Sequence, residues 1–543
     1  MKLYLKPIQL KRYQYFFRKL DSSFFLVGLL IAMSSTTVQA QLIEQTQEAI
    51  ATSHDMPLSE EVYEVFRDPE KRIEVPAPRI PIGEEALENI KAQTNKSLVA
   101  PTTVVPISLD ANVQESSQSS GGCPVNSAGN SAPSDIHGAV GSSNLVVVTN
   151  TDIGIYNKST CARLSLESLV SFFSAAGTSG QILFDPRVLY DLSNNRFFVT
   201  AESTNNSNND QYQYMAISKD DSGTSWWLYR IRLSEGSTKW CKSAVDSFWD
   251  YPSAGYDKSN WYITANDFGD SVTGAIISID KSKSMIGDPV SMNCFNSLTF
   301  NIQPPIVMDS ADSAYFLSPG SGSGNSITRY KFTPSSAMLS TMSPISVSSW
   351  TAAQAAKQPN GQKLDTLDGR FQSASIQRGD YLWNVHTVAD SDGSSLKFYK
   401  FSTTETTPLW DQTIHVYGGS EAYSFNPSTA ISPSGQAFVT MTFTSSTYKA
   451  SMLMLQGSSS SFTGWQVSML ITSSSQFENC STSRGCRWGD YSSTQIDPSN
   501  LGNAWGFNQL ADGTTQFDWT SYAGHVSGPA LTGFLPAIYY ILH

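Results

Sequence analysis

Charge and histidine are scarce in this chain of 543 residues: Asp, Glu, Lys and Arg make 15 % of it, and there are 6 histidines. No CxxC occurs, and no two histidines stand at metal-ligand spacing, which argues against a zinc site. G-x-S-x-G, HExxH, Walker A and dinucleotide fingerprints are all missing. After the first forty residues no stretch approaches the roughly 18 apolar residues of a membrane-spanning helix, so no membrane insertion is expected of the mature chain. Basic residues are in deficit, 35 against 47 acidic, for a formal charge of −12. That balance argues against nucleic acid and against an anionic membrane surface, and solvation accounts for it.

The start of the chain reads as a secretory signal peptide over residues 1–40. Lys2, Lys6, Lys11, Arg12, Arg18 and Lys19 form a basic region, Phe24 to Met33 an apolar stretch of ten residues, and Val38-Gln39-Ala40 a small-x-small cleavage signal. Six basic residues and one acidic residue leave with it, so the charge moves from −12 to −17. The expected location is secreted or periplasmic. Residues 41–122 hold two aromatics, Tyr63 and Phe66, and carry a net charge of −8. Such a stretch buries little core and reads as a flexible acidic leader, or else as a propeptide covering the body of the chain. Weak helical patterns near Ser59–Phe66 and Glu84–Ala92 flank the Pro-rich Val75-Pro76-Ala77-Pro78.

From residue 123 to 543 the composition is that of strands, with short helical turns expected at Ser165–Ala175 and Ala352–Ala356. One phrase recurs: a short strand, a turn of Asp, Ser and Asn, then a strand of aromatic and β-branched residues. The clearest copies are Asp185-Pro186-Arg187-Val188-Leu189-Tyr190-Asp191 with Phe197-Phe198-Val199-Thr200-Ala201, and Tyr251-Pro252-Ser253-Ala254-Gly255-Tyr256-Asp257 with Trp261-Tyr262-Ile263-Thr264-Ala265. Aligned on Ala139, Val188, Ala254, Ile306, Ala374, Thr429 and Thr494, the spacings are 49, 66, 52, 68, 55 and 65. A β-rich repeat at this period means one propeller blade each time, hence an all-β, seven-bladed β-propeller. Ala537 to Leu542 is the expected closing strand.

The six cysteines of the exported chain, Cys123, Cys161, Cys241, Cys294, Cys480 and Cys486, suggest disulfides, with fifteen pairings open. Nearest neighbours are the expected partners, and Cys123 with Cys161 would staple the edge of the first blade.

In order along the chain, Gly138-Ala139-Val140-Gly141, Phe184 to Asp191, Asp250-Tyr251-Pro252, Leu382-Trp383-Asn384-Val385-His386-Thr387 and Arg487-Trp488-Gly489-Asp490-Tyr491-Ser492 carry a resemblance. The chain resembles a family of exported bacterial seven-bladed propellers, related in architecture to the sialidase-like superfamily. What the resemblance implies is a fold and an exported location. Asp221-Ser222-Gly223-Thr224-Ser225-Trp226 also looks like a degenerate Asp-box, with Lys219 where Ser or Thr is expected. In that superfamily the Asp caps the turn amides and the Trp packs between strands.

The phrase beginnings place polar residues around the axis of a propeller, His137 and Asp368 among them. Arg187, Arg370, Arg487, Asp490 and Tyr251 are the candidate binding residues for a glycan or an extracellular protein, taken up by a monomer through its top face. The alternative is a sialidase-like glycoside hydrolase. There Arg187, Arg370 and Arg487 would grip a carboxylate, Tyr423 with Glu421 would supply the nucleophile, and Asp185 or Asp250 the acid. Against this, Asp before Pro at a strand start commonly caps a turn, and Arg487 with Asp490 reads equally as an ion pair between blades. His386 reads as a general base or as a satisfied core histidine. No cofactor is expected. Asp309, Asp312, Asp390 and Asp392 offer oxygen ligands for calcium, with solvated turns as the ordinary reading.

Overall fold

The computed structural model describes residues 40–41, 45–58, 73–75, 84–97, 104–109, 120–125, 131–205, 210–418, 420–478 and 484–528, all within the unit Val38–His543. The expected signal peptide, apart from Ala40, the helical pattern at Ser59–Phe66 and the expected closing strand Ala537–Leu542 lie outside them.

Each clear phrase forms the two inner strands of an antiparallel sheet. Ile182–Asp191, Arg196–Thr204, Gln211–Ser218 and Ser225–Glu235 pair in that order, as do Phe248–Tyr256, Asn260–Phe268, Val272–Asp280 and Val290–Leu298. The same plan runs from His137–Val140 to Arg163–Ser168, from Ser375–Arg378 to Trp410–Tyr417, and from Ala422–Ile431 to Gln466–Thr472. Ala314–Ser318, Ser323–Thr333 and Met338–Thr341 form another sheet. The phrase-final Asp makes the hairpin turn. Asp257 Oδ1 accepts from the backbone N–H of Ser259 and of Asn260, both at 2.7 Å, and Asp191, Asp309 and Asp497 do the same for residues two further on.

The inner strands Phe248–Tyr256 and Ala422–Ile431 are buried along their whole length because sheets pack on both faces, so their apolar residues run on rather than alternate. Where inner strands of neighbouring sheets meet they run parallel, Tyr256 beside Ile306 and Pro305 beside Ser375. Phrase positions from successive sheets then converge. His137, Arg187, Ser253, Ile306, Ser373, Ser428 and Ser493 line one cavity of about 20 Å³, room for roughly a single water. Convergence of inner strands on one narrow axis is the architecture of a β-propeller.

The described parts of the stretch 41–122 are strands and a helix. Gln45–Ala49 and Thr52–Asp55 add as outermost strands to the sheets of Val290–Leu298 and Ser225–Glu235. Val104–Ser108 runs parallel to Trp410–Tyr417, and Glu84–Ser97 is a helix. An outer strand needs backbone pairing but little apolar side chain, as the half-exposed pattern of Thr52–Asp55 shows. Ser120–Pro124 completes the last sheet, beside Ser493–Ile496, Asn503–Ala511 and Trp519–Ser527.

Cys123 and Cys161 are bonded, as are Cys241 and Cys294. The first bridge does more than staple an edge, because it ties the strand Ser120–Pro124 of the last sheet to the first sheet, across the ring's seam. Cys486 is disulfide-bonded, and Cys480 lies outside the described residues. Helix at Ser165–Ala175 is confined to Leu169–Phe172 and a 3-10 turn at Ser174–Ala176, and Ala352–Ala356 is not helical. In the Asp-box, Trp226 is buried against Phe172 and Phe197. Asp220, not Asp221, caps the turn by accepting from Ser222 N–H, while Asp221 accepts from the Ser142 hydroxyl of the neighbouring sheet.

Candidate functional site

Three innermost strands carry the same irregularity. The pairing register slips between Phe184 and Arg187, between Asp250 and Ser253, and between Phe425 and Ser428. In each slip one residue has a left-handed backbone (Asp185 at φ 49°, Tyr251 at 60°, Asn426 at 50°) and the next is proline. Proline has no N–H to give the ladder, so it sits where the ladder is already broken. The bulge turns the residues around it toward the axis.

Eight of the residues singled out from the sequence meet there, all of them buried. The Arg187 guanidinium lies over Tyr491, 3.2 Å from the ring centroid, with Tyr251 at 5.3 Å. Its Nε and Nη1 donate to the carbonyls of Pro252 and Gln372. Arg370 stacks on the same Tyr251 ring at 4.6 Å and donates bidentately to Asp368, at 2.7 and 3.0 Å. Tyr251 Oη donates to the backbone carbonyl of Asp490, and Arg487 donates to the Asp490 carboxylate at 3.1 Å. Asp185 and Asp250 lie beside Glu202, one ligand-competent oxygen from each falling within 4.8 Å of the others.

The Tyr–Glu pair of the hydrolase reading is not assembled around these arginines. Tyr423 packs in the apolar cluster of Phe425, Phe477 and Trp488, and Glu421 pairs with Lys357 at the surface. Among the described residues neither hydrogen-bonds or ion-pairs with Arg187, Arg370 or Arg487. The loop acids are engaged in turns and pairs: Asp309 with the N–H of Ala311, Asp312 with Lys258, Asp390 with Ser395 and His415, Asp392 with the N–H of Glu421. His386 is a satisfied core histidine between the Gly369 carbonyl and Tyr399 Oη, and burial pushes its pKa down to about 3.

Burial and mutual repulsion dominate the electrostatics of the axial layer. Asp185 and Glu202 are pushed well above the carboxylate range by burial first, then by neighbouring carboxylates, Asp135 on Asp185 and Asp185 on Glu202. Burial, then Asp135, pushes Asp490 up to about 8. Among the buried polar atoms that find no hydrogen-bond partner among the described residues are Glu202 Oε2, Arg187 Nη2 and Arg487 Nε. Glu202 and Asp135 escaped the sequence reading. Glu202 has a signal in Thr200-Ala201-Glu202, which sits opposite the bulge as Thr264-Ala265-Asn266 and Thr440-Met441-Thr442 do.

A second polar group adjoins this layer. Asp365 pairs with Arg484 at 2.6 Å, and Arg484 reaches Glu84 of the helix Glu84–Ser97 at 4.0 Å. Gln354 donates to the backbone carbonyl of Lys91. Lys91 is 2 % exposed, and with Arg484 its charge holds Asp365 below the usual carboxylate range despite burial. The helix thus touches this polar group, and among its described side chains only Leu87 and Lys91 are buried.

Strand order and axis define an all-β protein with β-propeller architecture, carrying disulfides that suit an oxidising, extracellular compartment. No helix among the described residues is long and apolar enough to cross a membrane. No protein-family model matches the chain, and no curated protein matches it. Among solved structures it is similar to an α-L-arabinofuranosidase of Fusarium graminearum in complex with arabinobiose, at 10 % identity, covering 75 % of this chain and 97 % of that one, with a TM-score of 0.36. An α-L-arabinanase of Penicillium chrysogenum, also with arabinobiose, matches at 10 % identity over 75 % and 98 %, TM-score 0.35. The Hadza microbial sialidase Hz136 matches at 13 % identity over 72 % and 65 %, TM-score 0.32.

Proposed function

We propose that this chain is an exported, seven-bladed β-propeller that binds a glycan at the axial mouth beneath the helix Glu84–Ser97. The observation that carries the reading is a light cover over a polar floor. Leu87 is the only apolar side chain the helix buries fully among those described, worth about 1.5–3 kcal/mol of burial. What it covers is Gln354, Asp365 and Arg484: a fixed amide, carboxylate and guanidinium that suit hydroxyl groups. Retained sugar carboxylates fit less well. Arg370 and Arg487 are already committed to Asp368 and Asp490, and Arg187 to two carbonyls, so binding is favoured over sialidase chemistry.

The test is a glycan array on the whole mature chain, run beside a fluorogenic glycoside panel. Truncation to residues 123–543 is the wrong reagent, because it removes the outer strands that 41–122 supplies. Leu87→Asp should loosen the cover and raise binding at least several-fold, and Arg484→Ala in that background should abolish it. A folded Leu87→Asp protein that binds nothing sinks the reading. Turnover of any glycoside would make the protein a hydrolase instead.

A further inference from the structure

We infer that Asp185, Glu202 and Asp250 form a binding site for one divalent cation, calcium by its all-oxygen donor set. The inference stands apart from the glycan reading and needs no ligand at the mouth.

The three carboxylates come from different strands, and the backbone brings them together. Asp185 is the left-handed residue of its bulge, Asp250 immediately precedes the left-handed Tyr251, and Glu202 faces Phe184 across the ladder. One oxygen from each lies within 4.8 Å of the others, and all three residues are buried. Oxygens bound to one calcium at about 2.4 Å can stand at most about 4.8 Å apart, so the spread fits a shared ion.

The independent observation is the state of Glu202. It is 0 % exposed, its Oε1 accepts from the Tyr251 N–H at 3.3 Å, and its Oε2 is buried with no hydrogen-bond partner. A buried carboxylate is ordinarily paired or bound to a metal. No ion pair among the described residues reaches Glu202 or Asp185. Arg187 forms no ion pair with either among the described residues: its Nε and Nη1 donate to the Pro252 and Gln372 carbonyls, and its guanidinium lies over Tyr491. Hard carboxylate oxygens without nitrogen or sulfur select calcium over zinc or copper. The calcium would tie the sheets of Ile182–Asp191 and Phe248–Tyr256 together at the axis.

The experiment uses the whole mature chain, stripped with a chelator and titrated with calcium alone, by calorimetry and by melting. Expected are one calcium per chain and a higher Tm in calcium than in chelator. Glu202→Gln should weaken calcium binding more than tenfold and erase the calcium dependence of Tm. Its Tm in chelator should equal or exceed that of the wild type, since an amide needs no cation beside it. Asp312→Asn, on a surface turn, should bind calcium as the wild type does. If Glu202→Gln fails to fold, Asp250→Asn carries the same expectation. The assignment is overturned if the wild type takes up no calcium, if it takes up magnesium in preference, if Glu202→Gln binds undiminished, or if Asp312→Asn abolishes binding.

Discussion

The two described disulfides are nearly equal in entropy and unequal in position, which allows a sharp test of how the ring is closed. Cys123 and Cys161 are 38 residues apart, Cys241 and Cys294 53. The chain-entropy model gives each about 4 kcal/mol, with a difference of only a few tenths. Replacing either pair by serine should therefore lower global stability by a similar amount in a denaturant or thermal melt. Their local effects should differ. Cys123 sits in Ser120–Pro124, the strand that pairs with Trp519–Ser527, while Cys161 lies in the turn before Arg163–Ser168 of the first sheet. Without that bridge the closing strand keeps its ladder, the Val125–Ser521 backbone bond and the Trp519 Nε1 bond to the Ser131 carbonyl. It loses its covalent tie to the first sheet. Hydrogen exchange followed by mass spectrometry should show faster exchange over 120–125 and 519–527 in Cys123→Ser/Cys161→Ser. In Cys241→Ser/Cys294→Ser the change should fall on 290–298 and its partner strand 45–49. Identical exchange maps for the two variants would refute the seam as the place where the first bridge acts.

Two further outcomes concern buried ionisable groups. His386 has its pKa pushed from 6.5 to about 3, by burial first, with Lys397 adding to the depression and the Gly369 carbonyl and Asp411 opposing it. Its folded value lies below its unfolded one, so its contribution is complete above pH 6.5 and is lost as pH falls toward 3, up to about 5 kcal/mol at about 1.4 kcal/mol per unit. His386→Phe should flatten the acid limb of stability against pH, though not level it, because His137 and His525 are depressed as well. An unchanged slope would contradict the assignment. Asp368→Ala should destabilise by about 3–5 kcal/mol, since it strips a buried arginine of its bidentate carboxylate. Asp368→Ala/Arg370→Met should recover part of that loss in a urea melt; equal or greater loss in the double variant would show the pair is not coupled.

The repeat was legible because a single phrase encodes two local events. Its first strand lines the axis, and its terminal Asp builds the hairpin turn, so five of the seven residues on which the copies align, Ala254, Ile306, Ala374, Thr429 and Thr494, line the axial cavity. The arginine layer was legible for the same reason, as polar residues at strand starts. Glu421 was misleading because it stands on the rim just before its strand Ala422–Ile431, where a left-handed backbone and Lys357 hold it away from the axis. Glu202 was hidden in the second strand, where only comparison with Asn266 and Thr442 marks the position as axial. The leader misled most, and for a physical reason. A strand at the outer rim is held through main-chain hydrogen bonds and meets solvent on its far side, so selection asks little of its hydrophobicity. Gln45–Ala49 and Thr52–Asp55 therefore carry the composition of a disordered segment while pairing in register with Val290–Leu298 and Ser225–Glu235. The helix Glu84–Ser97 is a milder case, since its pattern was visible but its destination was not. Lys91, an ordinary surface lysine by sequence, is buried, and strands on either side of the helix pair with other strands, Ile73–Glu74 with Ser131–Ala132 and Val104–Ser108 with Trp410–Tyr417. The helix between those two anchors meets Gln354 through the Lys91 carbonyl and Arg484 through Glu84.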